Sequence, residues 1–145
     1  MPLARYALYA QGIEIYIAPT YDSGEAWLGT LQHIAREGRC WVIGCGVVLR
    51  YEDIPDDFPN KDQLYAAEQT WINPGDSVVI APGGKIIAGP LHEECGILYA
   101  DIDASDSANS KRDLDVCGHY ARADIFNLTV NRKPYPAITF HDDKP

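Results

Sequence analysis

Positive charge is scarce in this sequence. Its 12 Lys and Arg residues face 21 Asp and Glu, a formal net charge of −9, whereas phosphate binding needs clustered cations that displace counterions. Neither a nucleic acid nor an acidic membrane surface is an expected partner. Long apolar runs are lacking too. None approaches the roughly 18 to 20 residues of a transmembrane helix, and the N-terminus has no basic region followed by an apolar stretch and a small-residue cleavage site. These absences make a soluble, cytoplasmic protein the expectation. The four cysteines, Cys40, Cys45, Cys95 and Cys117, are widely spaced and accompany no export signal. Reduced structural thiols, not a disulfide framework, are expected.

Metal-ligand pairs are equally sparse. Cys40 and Cys45 lie on one apparent strand an odd number of residues apart, so alternation points them to opposite faces. His92-Glu93-Glu94-Cys95 is a single His-x-x-Cys without a second pair. No metal and no cofactor is implied. What the chain does have is a core: 46% of its 145 residues are hydrophobic and 23% are charged, the balance of one globular domain.

The periodicities alternate between helix and strand. Met1 to Ala10 is apolar and helix-favouring, with no capping residue before it and Gly12 behind it. The chain therefore reads as starting inside a helix. A strand over 13–18 ends at Pro19, and Asp22-Ser23-Gly24-Glu25 has the form of a capping box. It predicts a helix over 25–37 with Trp27, Leu28, Leu31, Ile34 and Ala35 on the buried stripe and Gly38 as the stop. Cys40 to Leu49 reads as one strand covered on both faces. Residues 51–76, rich in Pro, Asp and Gly, read as a long surface loop.

A hairpin follows, Ser77–Ala81 and Lys85–Gly89 around Pro82-Gly83-Gly84. Gly96–Asp103 predicts another strand and 104–115 a short helix capped by Ser105. The remainder, from Val116 through Pro134, Pro136 and Pro145, predicts irregular chain on the surface or against another subunit.

Four blocks, "PLARYALYAQGIEIYIAPTYDS", "HIAREGRCWVIG", "DSVVIAPGGKIIAGPLHEECGILYADID" and "DVCGHYARADIF", resemble consecutive blocks of the nitrilases in the carbon-nitrogen hydrolase superfamily. Two departures stand out: the long loop at 51–76, and Cys117, where a small aliphatic residue is expected. The resemblance implies an α/β fold, part of an αββα sandwich with helices outside and strands inside. It places residues 1–103 in the hydrolase domain and 104–145 in a C-terminal extension. It also implies that the nucleophilic Cys, in a Cys-Trp-Glu-Asn-Tyr-like motif, precedes a segment like Met1–Tyr6, with the Glu base and the Lys further upstream. No catalytic residue is then expected within this chain, which by itself should be inactive.

Thr20 and Tyr21 follow the strand next to the implied nucleophile turn and are the candidate substrate-pocket residues, because strand-end loops surround the site in layered α/β folds. The alternative packs Tyr21 under the helix with Asp22 as its cap. Cys45 and Cys95 are expected buried in or beside strands, Lys85 solvated, His119 buried and hydrogen-bonded, and Glu93 and Glu94 a solvated turn. Two functions fit: the C-terminal part of a nitrilase, whose complete form converts a nitrile to a carboxylic acid and ammonia, or a non-catalytic interaction protein binding a full-length relative. Homo-oligomers are implied by the family, with the helix at 25–37 among the pairing helices. Open sheet edges and an incompletely covered apolar face should make the isolated chain associate or remain partly molten. Calorimetry with light scattering checks this expectation, and a monodisperse monomer with a sharp, cooperative transition would contradict it.

Overall fold

The computed structural model describes residues 1–65, 68–134 and 137–138. Pro136 and Pro145, assigned above to irregular chain, lie outside them. Helix α1 spans Pro2–Tyr9, with Pro2 in its first turn and no side-chain cap at Met1. Pro suits that place because its missing N–H would have no intrahelical partner there. Strand β1, Ile15–Thr20, leads to helix α2, Gly24–Gly38. Strand β2, Trp41–Gly46, and strand β3, Val48–Arg50, follow. After a 3-10 turn at Tyr51–Asp53 and a single helical turn α3, Lys61–Leu64, strand β4 runs over Trp71–Ile80 and β5 over Ile86–His92. Helix α4, Ser105–Ser110, is the last regular element among the described residues.

The strands form one five-stranded sheet in which β1 and β2 are parallel and all other pairs antiparallel. The α/β character expected from the sequence is thus present, with α2 packed on one face of the sheet. Alternation divides the side chains of β1, β2 and β4 between two faces. Ala18, Val42, Val78 and Ile80 meet Leu31, Ile34 and Ala35 of α2 in the buried core, so the predicted stripe is the packing face. Gly44 leaves room for it: a Cβ there would stand 2.6 Å from Leu31 Cδ1.

Helix α1 docks on the end of α2 through Tyr9. Its hydroxyl donates to Glu37 Oε2 at 3.0 Å, and Arg5 Nε approaches the same oxygen at 3.4 Å. Burial, and then the Glu37 charge, push the phenol pKa well above its usual value. The Tyr9 ring lies over Gly38, where a Cβ would meet Cδ1 at 2.8 Å. Gly38 therefore serves close packing, and the left-handed residue that stops the helix is Arg39, at φ 49°.

Several expectations are corrected. Residues 71–76 are not loop but the first part of β4, because Trp71, Asn73 and Pro74 pair with β3. Residues 40–49 are not one strand: β2 and β3 are separated at Val47, and each ladders onto a different part of β4. Nor are both of their faces covered, since Cys45 and Val47 are exposed. Gly96–Asp103 forms no strand. Its carbonyl at Asp103 instead accepts the Trp41 indole N–H at 2.7 Å, which buries Trp41, and Leu98 lies against Gly89. Among the described residues no strand pairs with this segment. Ser105 does not cap α4; Asp103 Oδ1 accepts its N–H instead. Cys95 and His119 are exposed, the His119 ring lying 4.7 Å from the Tyr120 ring rather than in a core.

The sheet face away from α2 stays open at β1. Ile17 is 68% exposed, Ile15 is also exposed, and Cys45 is exposed on the neighbouring strand.

The tightest backbone approach lies between β2 and β4, where a Cβ on Gly46 would stand 2.6 Å from the carbonyl carbon of Gly75. Backbone cannot rotate aside as a side chain can, so the strands must part. Gly46→Ala should destabilise the fold by roughly 1–3 kcal/mol, the usual cost of overpacking, which outweighs any gain of about 0.5–1 kcal/mol from replacing a strand glycine. The midpoint of thermal loss of far-ultraviolet circular dichroism measures it, and an unchanged midpoint would contradict the contact.

Candidate functional site

The carboxyl ends of the parallel pair β1 and β2 face the irregular start of β4, and polar side chains gather there. Thr20 pairs in register with Gly46, and Pro19 with Cys45. Thr20 is half-buried; its Oγ1 accepts the Asp22 N–H at 2.9 Å, and its carbonyl accepts the Val47 N–H at 3.2 Å. Tyr21 is 58% exposed, so it is not packed under α2. Its hydroxyl has no hydrogen-bond partner among the described residues. Both candidate pocket residues therefore stand at one strand end. Cys45 belongs to the opposite sheet face from Thr20 by alternation.

The loop after β1 is held from β4. The Asn73 side-chain N–H donates to the Tyr21 carbonyl, and Asn73 Oδ1 accepts the Gly75 N–H at 3.0 Å. Asp76 Oδ2 accepts the Gly24 N–H at 2.6 Å. That bond corrects the capping-box reading. Ser23, not Asp22, is the N-cap residue, its side chain makes no capping bond, and Asp22 Oδ1 accepts only the Ser23 N–H. A carboxylate from another strand thus meets the positive end of the α2 dipole, where an anion is stabilised.

Asp76 reaches this place because β4 is irregular there. Gly75 and Asp76 both have positive φ, 95° and 72°, and the register with β5 shifts between Gly75 and Ser77. Such a bulge re-aims a side chain, and Asp tolerates the left-handed region better than most residues. Asp76 is only 3% exposed. A buried carboxylate is costly unless its oxygens are satisfied, and His92 Nδ1–H donates to Asp76 Oδ1 at 2.6 Å. The hydrogen bond that His92 donates to Asp76 is the main cause that raises its pKa above the usual histidine value. Next to it, Ser77 Oγ accepts the Gly46 N–H at 3.0 Å.

Sequence reasoning missed Asn73, Asp76 and Ser77 as a group. The signal was present in Trp71-Ile72, strand formers ahead of Gly75-Asp76, but Pro74 and Gly75 read as punctuation.

The arrangement can fix a loop and present Thr20 and Tyr21. It does not by itself supply a nucleophile. Cys40 is buried, and burial raises its thiol pKa to about 11. Cys117 is likewise raised by burial and lies on the Tyr6 carbonyl at 3.8 Å. Cys45 and Cys95 are exposed, but neither has a base hydrogen-bonded to it among the described residues. Among those residues no group of three or more His, Cys, Asp or Glu is placed to hold a metal ion, and no helix is long and apolar enough to cross a membrane. A hollow of about 800 Å³ lined by Leu3, Tyr6, Tyr120 and Phe126 shares no residue with the strand-end cluster.

A layered sheet with a strand-end site is a common frame, and residues 1–112 match the description of the carbon-nitrogen hydrolase family; the chain belongs to that family. Within it, the similar proteins are nitrilases. The chain is 44% identical over 143 residues to Nitrilase 3 of Arabidopsis thaliana, covering 97% of this chain and 41% of that protein. It is 42% identical over 139 residues to a nitrilase of Bradyrhizobium diazoefficiens, covering 96% and 43%, and 41% identical over 134 residues to an arylacetonitrilase of Trametes versicolor, covering 92% and 42%. The chain thus spans about two fifths of the length of these curated relatives. Two crystal structures share the fold. The C. elegans NitFhit protein superposes with a TM-score of 0.66 at 21% identity, covering 94% of this chain and 30% of the other. A carbon-nitrogen hydrolase from Helicobacter pylori gives 0.65 at 22%, covering 87% and 44%.

The His92–Asp76 pair predicts a titration. His92 should titrate above 6.5, and Asp76→Asn should return it toward that value, as followed by imidazole proton chemical shifts. Because the folded pKa is raised, the stabilising contribution is complete below the unfolded value near 6.5. It is lost as pH rises through the higher folded value. A His92 titration unmoved by Asp76→Asn would mean that the pair does not form.

Proposed function

We propose that this chain is the C-terminal part of a nitrilase. Its complete form hydrolyses a nitrile to a carboxylic acid and ammonia through a thioimidate on cysteine. One observation carries the reading: similarity to proteins named nitrilases runs through 92–97% of the chain at 38–44% identity, while the chain spans 41–44% of their length. The reaction needs a thiolate to attack the nitrile carbon, a carboxyl group to move protons and a cation to stabilise the charge that develops. By its resemblance to the nitrilases, the chain is expected to receive all three from segments outside it. The part assigned to the chain itself is a wall of the substrate pocket, with Thr20 and Tyr21 touching the nitrile. Residues 1–103 belong to the hydrolase domain, and 104–145 form an extension at the surface or at a subunit contact. The assembled enzyme is cytoplasmic and homo-oligomeric, with α2 among the pairing helices.

A second reading, a non-catalytic partner of a full-length relative, is favoured by the open face at Ile15 and Ile17. Apolar patches of this kind mark association surfaces. The two readings separate in one assay. Purified as it stands, the chain should release no ammonia from aliphatic or aromatic nitriles, and combining it with a polypeptide that supplies the remainder of a nitrilase should produce acid and ammonia. Absence of turnover in every such combination would favour the partner reading. Ammonia release by the chain alone that vanishes in Cys45→Ala or Cys95→Ala would overturn both, by revealing a nucleophile within it.

A further inference from the structure

We propose that Asn73 and Asp76 are positioning residues that set the place of Tyr21 and thereby the nitrile selectivity of the pocket, an inference that rests on the function proposed above. Residues 21–23 form a short loop between β1 and α2, and β4 grips it at both ends: Asn73 on the Tyr21 carbonyl, Asp76 on the N–H of Gly24, the first residue of α2. Asn73 and Asp76 are 2% and 3% exposed, whereas Tyr21 is 58% exposed. The Tyr21 hydroxyl has no hydrogen-bond partner of its own among the described residues. No contact of its own among those residues holds the ring, so where its Cα stands is set by the backbone, which β4 anchors.

Each grip is itself oriented. Asn73 Oδ1 is occupied by the Gly75 N–H, which turns the amide so that its N–H faces the Tyr21 carbonyl. The second oxygen of Asp76 is occupied by His92 Nδ1–H from β5, which turns the first toward Gly24. The result is a fixed stretch of backbone that carries the exposed Tyr21 side chain at the end of β1. Pre-positioning of this kind reduces the ordering cost of binding, and an aromatic edge discriminates between slender and bulky nitriles.

The variants follow from the atoms. Asn73→Asp keeps the acceptor for Gly75 but replaces the donor facing Tyr21 with an oxygen. His92→Asn keeps an N–H near the position of Nδ1, and His92→Ala removes it. In the chain assembled with the remainder of a nitrilase, KM and kcat are measured for butyronitrile and benzonitrile. Asn73→Asp should raise KM roughly tenfold, the effect of losing one buried hydrogen bond, and unequally for the two nitriles, with kcat little changed, the mark of lost ground-state binding. His92→Ala should shift the ratio of the two KM values, and His92→Asn should restore it. Unchanged KM for both nitriles in Asn73→Asp overturns the inference. If no assembly hydrolyses a nitrile, the proposed function fails, and the anchoring is then read from chymotrypsin cleavage after Tyr21 in the chain as it stands. Slow cleavage that accelerates in Asn73→Asp and Asp76→Ala supports the anchor, and equal rates in all three proteins overturn it.

Discussion

The Asp76 carboxylate is the constraint on which the arrangement of this chain turns. It is buried at the meeting of three elements, with one oxygen on the first N–H of α2 and the other on His92 at the end of β5. An ionised carboxylate in that position is tolerable only if both oxygens are satisfied. The hydrogen bonds therefore specify geometry as much as they stabilise. The bulge at Gly75 and Asp76 aims the side chain, and Gly46, lacking a Cβ, admits the bulged backbone. Helix, bulge and neighbouring strand are mutually required.

Around this junction the two faces of the sheet have different fates. Leu31, Ile34 and Ala35 close one face against Val42, Val78 and Ile80. On the other, Trp41 is covered by the segment leading to Asp103 and Val79 is buried, while Ile15 and Ile17 are exposed. An apolar strand exposed on an edge invites a partner, so the same feature serves either proposed function. In the first, further chain of a complete hydrolase covers the face. In the second, a separate protein does.

Much of the fold was legible from local patterns. The stripe on α2 and the hairpin turn at Pro82-Gly83-Gly84 were read correctly, because burial at helical spacing and positive φ at glycine are local requirements. The misses share a cause. Asn73 and Pro74 read as loop because their strand pairing with Leu49 and Val48 is not encoded by near neighbours. Gly96–Asp103 read as strand from composition, yet strand formation needs a neighbour and the segment has none among the described residues. For the candidate site, Thr20 and Tyr21 were proposed from their place after β1. Asn73 and Asp76 were not, since each acts on a residue 52 positions away.

By itself, then, the sequence determined the alternation of helix and strand and the face that α2 buries, because each depends on residue type at short spacing, and the resemblance of its blocks pointed to the family. Only the tertiary structure decided which groups hold that loop. A cap that the local Asp22-Ser23-Gly24-Glu25 pattern assigned to Asp22 is made by Asp76 instead. The nearer carboxylate turns to its own neighbouring N–H, and the distant one is carried to the helix end by the backbone bulge of β4.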